Sequence, residues 1–398
     1  MNRIVTHVQT CALAAILFCA PNALAMKQFK TLPIENNLEV KDTSQNILVG
    51  PVTVVREGQV GNKPGSSILL DNETLAIGLN KEIKILDLIT GEEKCSFNHD
   101  DWISHKDTSL LKLTNDTIIS FDAHIVKVWD LKEDHCKNEI RTNSGSWVEY
   151  NSCLLGINED TIVLYSYSIP SIILVCDLGI KGGKIIRTLN GHNDITNDLL
   201  KITNKCIASA SNDKTVKVWD LETGKCVYDL LGHKGNVLKL VKISDDVIAS
   251  GDSEGFVKIW NLKSGQCEQT LFGKKGKVNK LIVSSNKIIV CHKGGDMQVW
   301  DWKTGKFLKN LTGHTNNVKE LIVVNDNILI SCSKDGTIKV WDLNKGVWVQ
   351  SIFCGDIVNK IFVSTIKNVS TLVAVTWDGA IITCPCKFTS DNDNENII

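Results

Sequence analysis

Five short segments of this 398-residue chain close in nearly the same way: IKILDLITGEE (83–93), VKVWDLETGKC (216–226), VKIWNLKSGQC (257–267), MQVWDWKTGKF (297–307) and IKVWDLNKGVW (338–348). Each is a β-type run, then an aromatic or apolar residue, then Asp or Asn, then a turn closed by Gly. The aromatic or its substitute recurs at Leu86, Trp129, Cys176, Trp219, Trp260, Trp300 and Trp341, with Cys384 as the last candidate, in steps of 40 to 47 residues. A repeat of this length limits the chain to arrays in which each unit buries its apolar surface against its neighbours. It also points away from catalysis, because such arrays mostly present surfaces to partners.

The clearest unit spans 313–353. GHTNNV is a polar loop, KELIVV (319–324) a strand, NDN a turn, ILISCS (328–333) a strand, KDG a tight turn, TIKVWD (337–342) a strand, LNKG a turn and VWVQSIF (347–353) a fourth strand. Asn, Asp and Gly close these turns because they tolerate positive φ. The predicted unit is a four-stranded antiparallel sheet. Its inner strand places Leu321, Ile322, Val323 and Val324 in a row, so both sheet faces need cover. Stacking such sheets around an axis supplies that cover and leaves few exposed edges.

These residues make the chain resemble the WD-repeat β-propellers, over roughly residues 57–386. In that family a loop Gly-His, a strand Ser or Thr, a turn Asp and the strand Trp form a hydrogen-bonded set in each repeat. The resemblance implies two full sets here: His192, Ser209, Asp213 and Trp219, and His314, Ser331, Asp335 and Trp341. A third has His233, Ser250 and Trp260, with Glu254 where Asp is expected. The role implied for these residues is structural, since an indole N–H only donates and buried polar groups need partners. Other units depart from the pattern: Cys176 replaces Trp, Pro170 and Gly294 replace the turn Asp, and Gly273-Lys274 replaces Gly-His. Eight three-strand units are countable, so the expected fold is all-β, a single eight-bladed propeller, with seven blades as the alternative. Residues 46–56 could donate the outer strand of the last blade and fasten the ring by its ends.

The N-terminus reads separately. Arg3, the apolar stretch CALAAILFCA (11–20), Pro21 and Ala23-Leu24-Ala25 follow one another as in a secretory signal peptide cleaved before Met26. The apolar stretch is too short for a membrane span. The resulting divisions are a signal peptide at 1–25, a leader at 26–56, the propeller at 57–390 and a polar, disordered tail at 391–398. Twelve of the 14 cysteines follow Ala25, many for an exported chain. Cys226 and Cys267 share one repeat position and so lie a whole unit apart, too far to bond. Cys206 and Cys332 sit in apolar runs and read as small core hydrophobes. Cys384 and Cys386 form a lone C-x-C, a weak metal signal read as an ordinary strand end.

No nucleophile elbow, zinc-protease motif or phosphate loop occurs. His135-Cys136 and Cys291-His292 are adjacent pairs whose side chains a strand sends to opposite faces. No catalytic residue, metal or cofactor is therefore expected. A net charge of −1 argues against a broad nucleic-acid surface. The run Lys274, Lys275, Lys277 and Lys280 lacks accompanying aromatics and reads as a solvated loop. Binding is better supported. The loops after fourth strands and the turns between second and third strands open on one face, which carries Trp102, Trp147 and Trp377. Exposed Trp is costly unless covered or used. The loops at 98–108 and 142–151 are also longer than the rest. The expected protein is an exported, non-catalytic platform for a protein or peptide. A cytosolic regulatory scaffold and, less favoured, a propeller enzyme are the rivals.

Overall fold

The computed structural model describes residues 31–32, 34–36, 47–49, 52–56, 64–79, 82–98, 109–122, 125–141, 153–165, 171–179 and 182–388. They form eight antiparallel blades and no helix. Blades 1 to 7 occupy 66–98, 109–141, 153–189, 196–230, 237–272, 278–311 and 318–353. Blade 8 takes three strands from 358–388. Its fourth comes from the leader, whose strands are β1 (Thr31–Leu32), β2 (Ile34–Asn36), β3 (Ile47–Val49) and β4 (Val52–Arg56). β4 pairs with the last strand, Ile381–Phe388, through Ile382↔Val54 and Thr383↔Thr53. The ring is thus fastened by a strand from before blade 1. β1 pairs β4, β3 also pairs the last strand, and β2 crosses to the outer strand of blade 7 through Ile34↔Ile352.

Burial peaks in the middle of each blade, since the innermost first strands, such as Val318–Asn325, are mostly half-buried. The second and third strands of blade 7, Ile328–Ser333 and Thr337–Asp342, are buried at every position except Thr337. Outer strands such as Gln266–Phe272 are mostly exposed. Each third-strand Trp faces the preceding blade. Trp219 packs with Val163 and Val175 of blade 3, and Trp341 with Ile289 and Val299 of blade 6. Leu86 holds this place against Val373, Val375 and Ile381 of blade 8, which closes the core around the ring. A fully buried side chain of this kind stabilises by about 1.5–3 kcal/mol.

The register slips by one residue at the Trp position, as at Val340/Trp341 and Ile85/Leu86. The following Asp then caps the turn. Asp301 Oδ1 accepts the N–H groups of Lys303 (3.1 Å) and Thr304 (2.8 Å), and Asp87 and Asp342 do the same in their blades. This is why Trp-Asp travels as a unit: the Trp fills the inter-blade layer and the Asp turns the chain. At that end of the ring Lys112, Lys201 and Lys242 each donate to a carbonyl of the preceding blade, those of Leu70, Ile157 and Ile202.

Candidate functional site at the channel mouth

The opposite face is shaped by the polar sets. In blade 4, Trp219 Nε1–H donates to Ser209 Oγ (2.8 Å), Ser209 Oγ lies 2.6 Å from His192 Nε2, and His192 Nδ1 lies 2.7 Å from Asp213 Oδ2. A carboxylate only accepts, so Nδ1 carries the proton towards Asp213. Ser209, already accepting from the indole, donates to Nε2. Blade 7 repeats the set through Trp341, Ser331, His314 and Asp335, with all three distances 2.7 Å. Thr215 and Thr337 donate to the second oxygens of Asp213 and Asp335. Burial opposes ionisation of these two aspartates, but the His and Thr bonds outweigh it and hold both carboxyls well below the usual range. Ser209 and Ser331 are fully buried, and each hydroxyl is taken up by both the indole and the imidazole of its set.

Blade 5 corrects the reading of Glu254. The carboxylate in its set is Asp252, 2.9 Å from His233 Nδ1, while Ser250 bridges His233 (2.6 Å) and Trp260 (2.7 Å). Glu254 is exposed and contributes to this set only a backbone N–H, which donates to Asp252 Oδ1. Asp252 stands where blade 4 has Ser211, two residues before the turn Asp; from there its side chain reaches the same histidine. The signal is legible in SGDSEG against SASNDK: the Asp missing from the turn position stands two residues earlier.

Blade 6 rebuilds its set from other residues. Lys274, in the place of the loop His, pairs with Asp296. Buried His292 comes from the second strand, and its Nε2 lies 3.2 Å from Gln298 Oε1. Burial pushes the His292 imidazole below its ordinary value.

The first strands of successive blades line the central channel. Ahead of the buried residue of each first strand (Leu or Ile, but Ser67 in blade 1), blades 4 to 8 place Asp198, Lys239, Lys280, Glu320 and Lys360 on the channel wall, and blades 1 and 2 place Ser66 and Ser109. Glu320 sits between Lys280 Nζ (2.7 Å) and Lys360 Nζ (2.8 Å). Burial alone raises a carboxyl, but the two ammonium groups hold Glu320 at about 2. Asp198 is the opposite case: burial dominates and pushes it up, although Lys239 lies 3.8 Å away and the Leu240 N–H donates to it (2.9 Å). Its side chain keeps about a fifth of its area open to solvent. Lys280 therefore does not belong to the solvated loop predicted for 274–280; it is a wall residue of the channel.

A pocket of about 310 Å³ opens at the mouth of this channel, between blades 1, 2, 7 and 8. Ser66 and Ser109 line one side, Lys319, Glu320 and Lys360 the other, and Trp377 stands at its edge. The Trp377 N–H donates to Ile357 O (2.8 Å), as Asn212, Ser253, Lys293 and Lys334 do to the equivalent carbonyls of their blades. Trp377 therefore occupies a position that four other blades fill with Asn, Ser or Lys. Of the three Trp residues expected on this face, Trp102 and Trp147 lie outside the described residues, as does Pro170.

Cys384 and Cys386 lie in the layer between blades 7 and 8, and burial pushes their thiols up to about 12 and about 11. No group of three metal-ligating side chains occurs among the described residues. Cys384 pairs with Leu372 as Trp341 pairs with Leu329, so it holds the Trp position of blade 8. Cys136, Cys226 and Cys267 are exposed on outer strands, each opposite its blade's Trp. Cys206 is half-buried at a strand start, more open than the core position predicted for it, whereas Cys332 is fully buried.

Comparison with known proteins agrees with this architecture. The WD40 family, described as WD domain, G-beta repeat, matches residues 183–220, 224–261 and 305–342. No curated protein matches the chain. Among solved structures, the crystal structure of the computationally designed Ika8 protein is similar at 24% identity and a TM-score of 0.67, covering 83% of this chain and 98% of that one. That likeness carries the fold alone.

Proposed function

We propose that this eight-bladed β-propeller with WD40 repeats is an exported, non-catalytic platform that docks a protein or peptide at its channel mouth. Propellers of this family are commonly protein-interaction scaffolds. The observation that carries the reading is Trp377, an aromatic at the rim of a pocket where sister blades hold polar residues. A half-buried indole beside hydroxyls and paired charges is the composition of an interaction centre. The pocket admits one side chain of a partner; including Trp102 and Trp147 in the contact rests on the sequence alone. Export rests on the charged, apolar and small-residue order of residues 3–25.

The test is a crosslinked capture from the native host with wild-type protein and the Trp102→Ala, Trp147→Ala, Trp377→Ala triple variant. The expected result is loss of the captured partner with unchanged folding. Equal capture by both proteins overturns the site. The cytosolic scaffold reading is favoured by one observation, the eleven free cysteines among the described residues. The intact mass of the protein from its host separates the two: a chain starting at Met26 is exported, and one retaining Met1 is not.

A further inference from the structure

Blade 5 departs from blades 4 and 7 at a second place, on the outer rim of the same face. In those blades the residue after the turn Gly or Lys is a threonine, Thr215 or Thr337, that donates to the turn Asp. Blade 5 has moved its Asp to position 252, where the Phe256 N–H serves as donor (2.9 Å), so no hydroxyl is needed. Phe256 stands there instead. It stacks on Phe272 of the outer strand, with ring centroids 4.3 Å apart and planes 20° off parallel. Phe272 is 48% exposed, and Leu231, at the same rim position of blade 4, is 64% exposed.

One lysine touches this stack, and others lie in the loop that follows Phe272. Lys234 Nζ lies 5.8 Å from the Phe256 ring. The loop after Phe272 brings exposed Lys275 and Lys277, and the Lys293 N–H donates to Lys277 O, which puts a fourth lysine beside them. Lys274 is taken up by Asp296, but no carboxylate among the described residues pairs with Lys234, Lys275, Lys277 or Lys293. Glu254 is the one exposed acid in the adjoining turn. The basic loop thus has the aromatic company that its own sequence run lacked, supplied from across the blade by Phe256.

We infer that the Phe256–Phe272 stack and the lysines of blades 5 and 6 form a second docking surface, for an acidic segment of a protein partner that carries an aromatic or large apolar side chain. The ring stack and Leu231 take the apolar side chain, and the four lysines take the flanking carboxylates. A protein segment fits better than a nucleic acid, because the charge is confined to one loop cluster and forms no groove that could track a phosphate backbone. The surface lies on the rim, apart from the channel mouth, and does not depend on Trp377.

The test uses the full chain and a fluorescein-labelled synthetic peptide of repeated Glu-Glu-Phe, read by fluorescence anisotropy. Two control peptides replace Phe by Ser or Glu by Lys. Saturable binding that weakens with salt is expected for the first peptide alone. Phe272→Ser and the Lys275→Gln, Lys277→Gln double variant are each expected to weaken it by roughly tenfold. The lysine variant changes exposed side chains and should melt as the wild type, whereas Phe272→Ser also loses the stack on Phe256, so its binding is read well below its own melting temperature. Trp377→Ala is expected to leave the affinity unaltered. Equal binding of the Ser control, insensitivity to the rim variants, or tighter binding of a single-stranded oligonucleotide would each overturn the inference.

Discussion

At the scale of single residues, the three complete polar sets show that one geometry can be reached from two sequence positions. Asp213 and Asp335 arrive from the turn; Asp252 arrives from the strand before it. Its side chain and that of His233 are both fully inaccessible to solvent, so the pair is deeper than its counterparts. Removing one member of a buried pair leaves the other unpaired, at a cost of about 3 kcal/mol. Asp252→Ala is therefore expected to lower stability by about 3 kcal/mol, whereas Glu254→Ala, on an exposed side chain, changes it by less than about 0.5 kcal/mol. Urea unfolding of the two variants measures the difference, and equal midpoints would return the role to Glu254.

At the scale of elements, β4 does the work of a fourth strand for blade 8 and also touches blade 1. Gly91, in the last turn of blade 1, has φ of +73°, and a Cβ there would run into the backbone carbonyl of Val55. Gly182, in blade 3, has a similar φ of +90° but open space around it. Substitution by Ala at either position incurs the left-handed backbone strain, about 1 kcal/mol. Only at Gly91 must the ring-closing strand also move, so Gly91→Ala is expected to lose about 3 kcal/mol in total and Gly182→Ala about 1 kcal/mol. The order of their thermal midpoints checks the contact. The outer strand of blade 7 belongs to the same scale: VWVQSIF is more apolar than KFLKNL of blade 6, and β2 covers part of it.

At the scale of the whole molecule, charges from blades far apart in the chain converge on one channel. Glu320 titrates at about 2 in the folded protein against an ordinary 4.5, so its ionised form stabilises the fold. That contribution is complete above about pH 4.5 and is lost as pH falls towards 2. Asp213, Asp252 and Asp335 are also held low and act in the same direction. Asp198 is raised and acts oppositely, becoming less unfavourable as it protonates. Stability is therefore expected to be level near neutral pH and to fall steeply below about pH 4.5. Glu320→Gln should begin lower at pH 7, because Lys280 and Lys360 lose their counter-charge, and should fall less on acidification. A urea midpoint recorded against pH for both proteins tests this, and parallel curves would exclude Glu320 as a contributor.

What was legible without coordinates was local. The 40 to 47-residue step, the turn Asp and Gly, and the polar-set residues all depend on neighbours within one unit, and a repeat displays them again and again. Blade count and ring closure by residues 46–56 followed from the same reading, since a leftover strand and an unfilled edge suit each other. What depended on the tertiary structure was convergence. Lys280, Glu320 and Lys360 are each forty residues from the next, and nothing in their own strands marks them as partners. Phe256 meets Phe272 across a hairpin, and only the displaced Asp252 explains why a phenylalanine is tolerated there. Ring curvature brings the first strands of different blades to one axis, and that curvature is set by how Trp, Leu or Cys fills each inter-blade layer, a packing result that no single unit records.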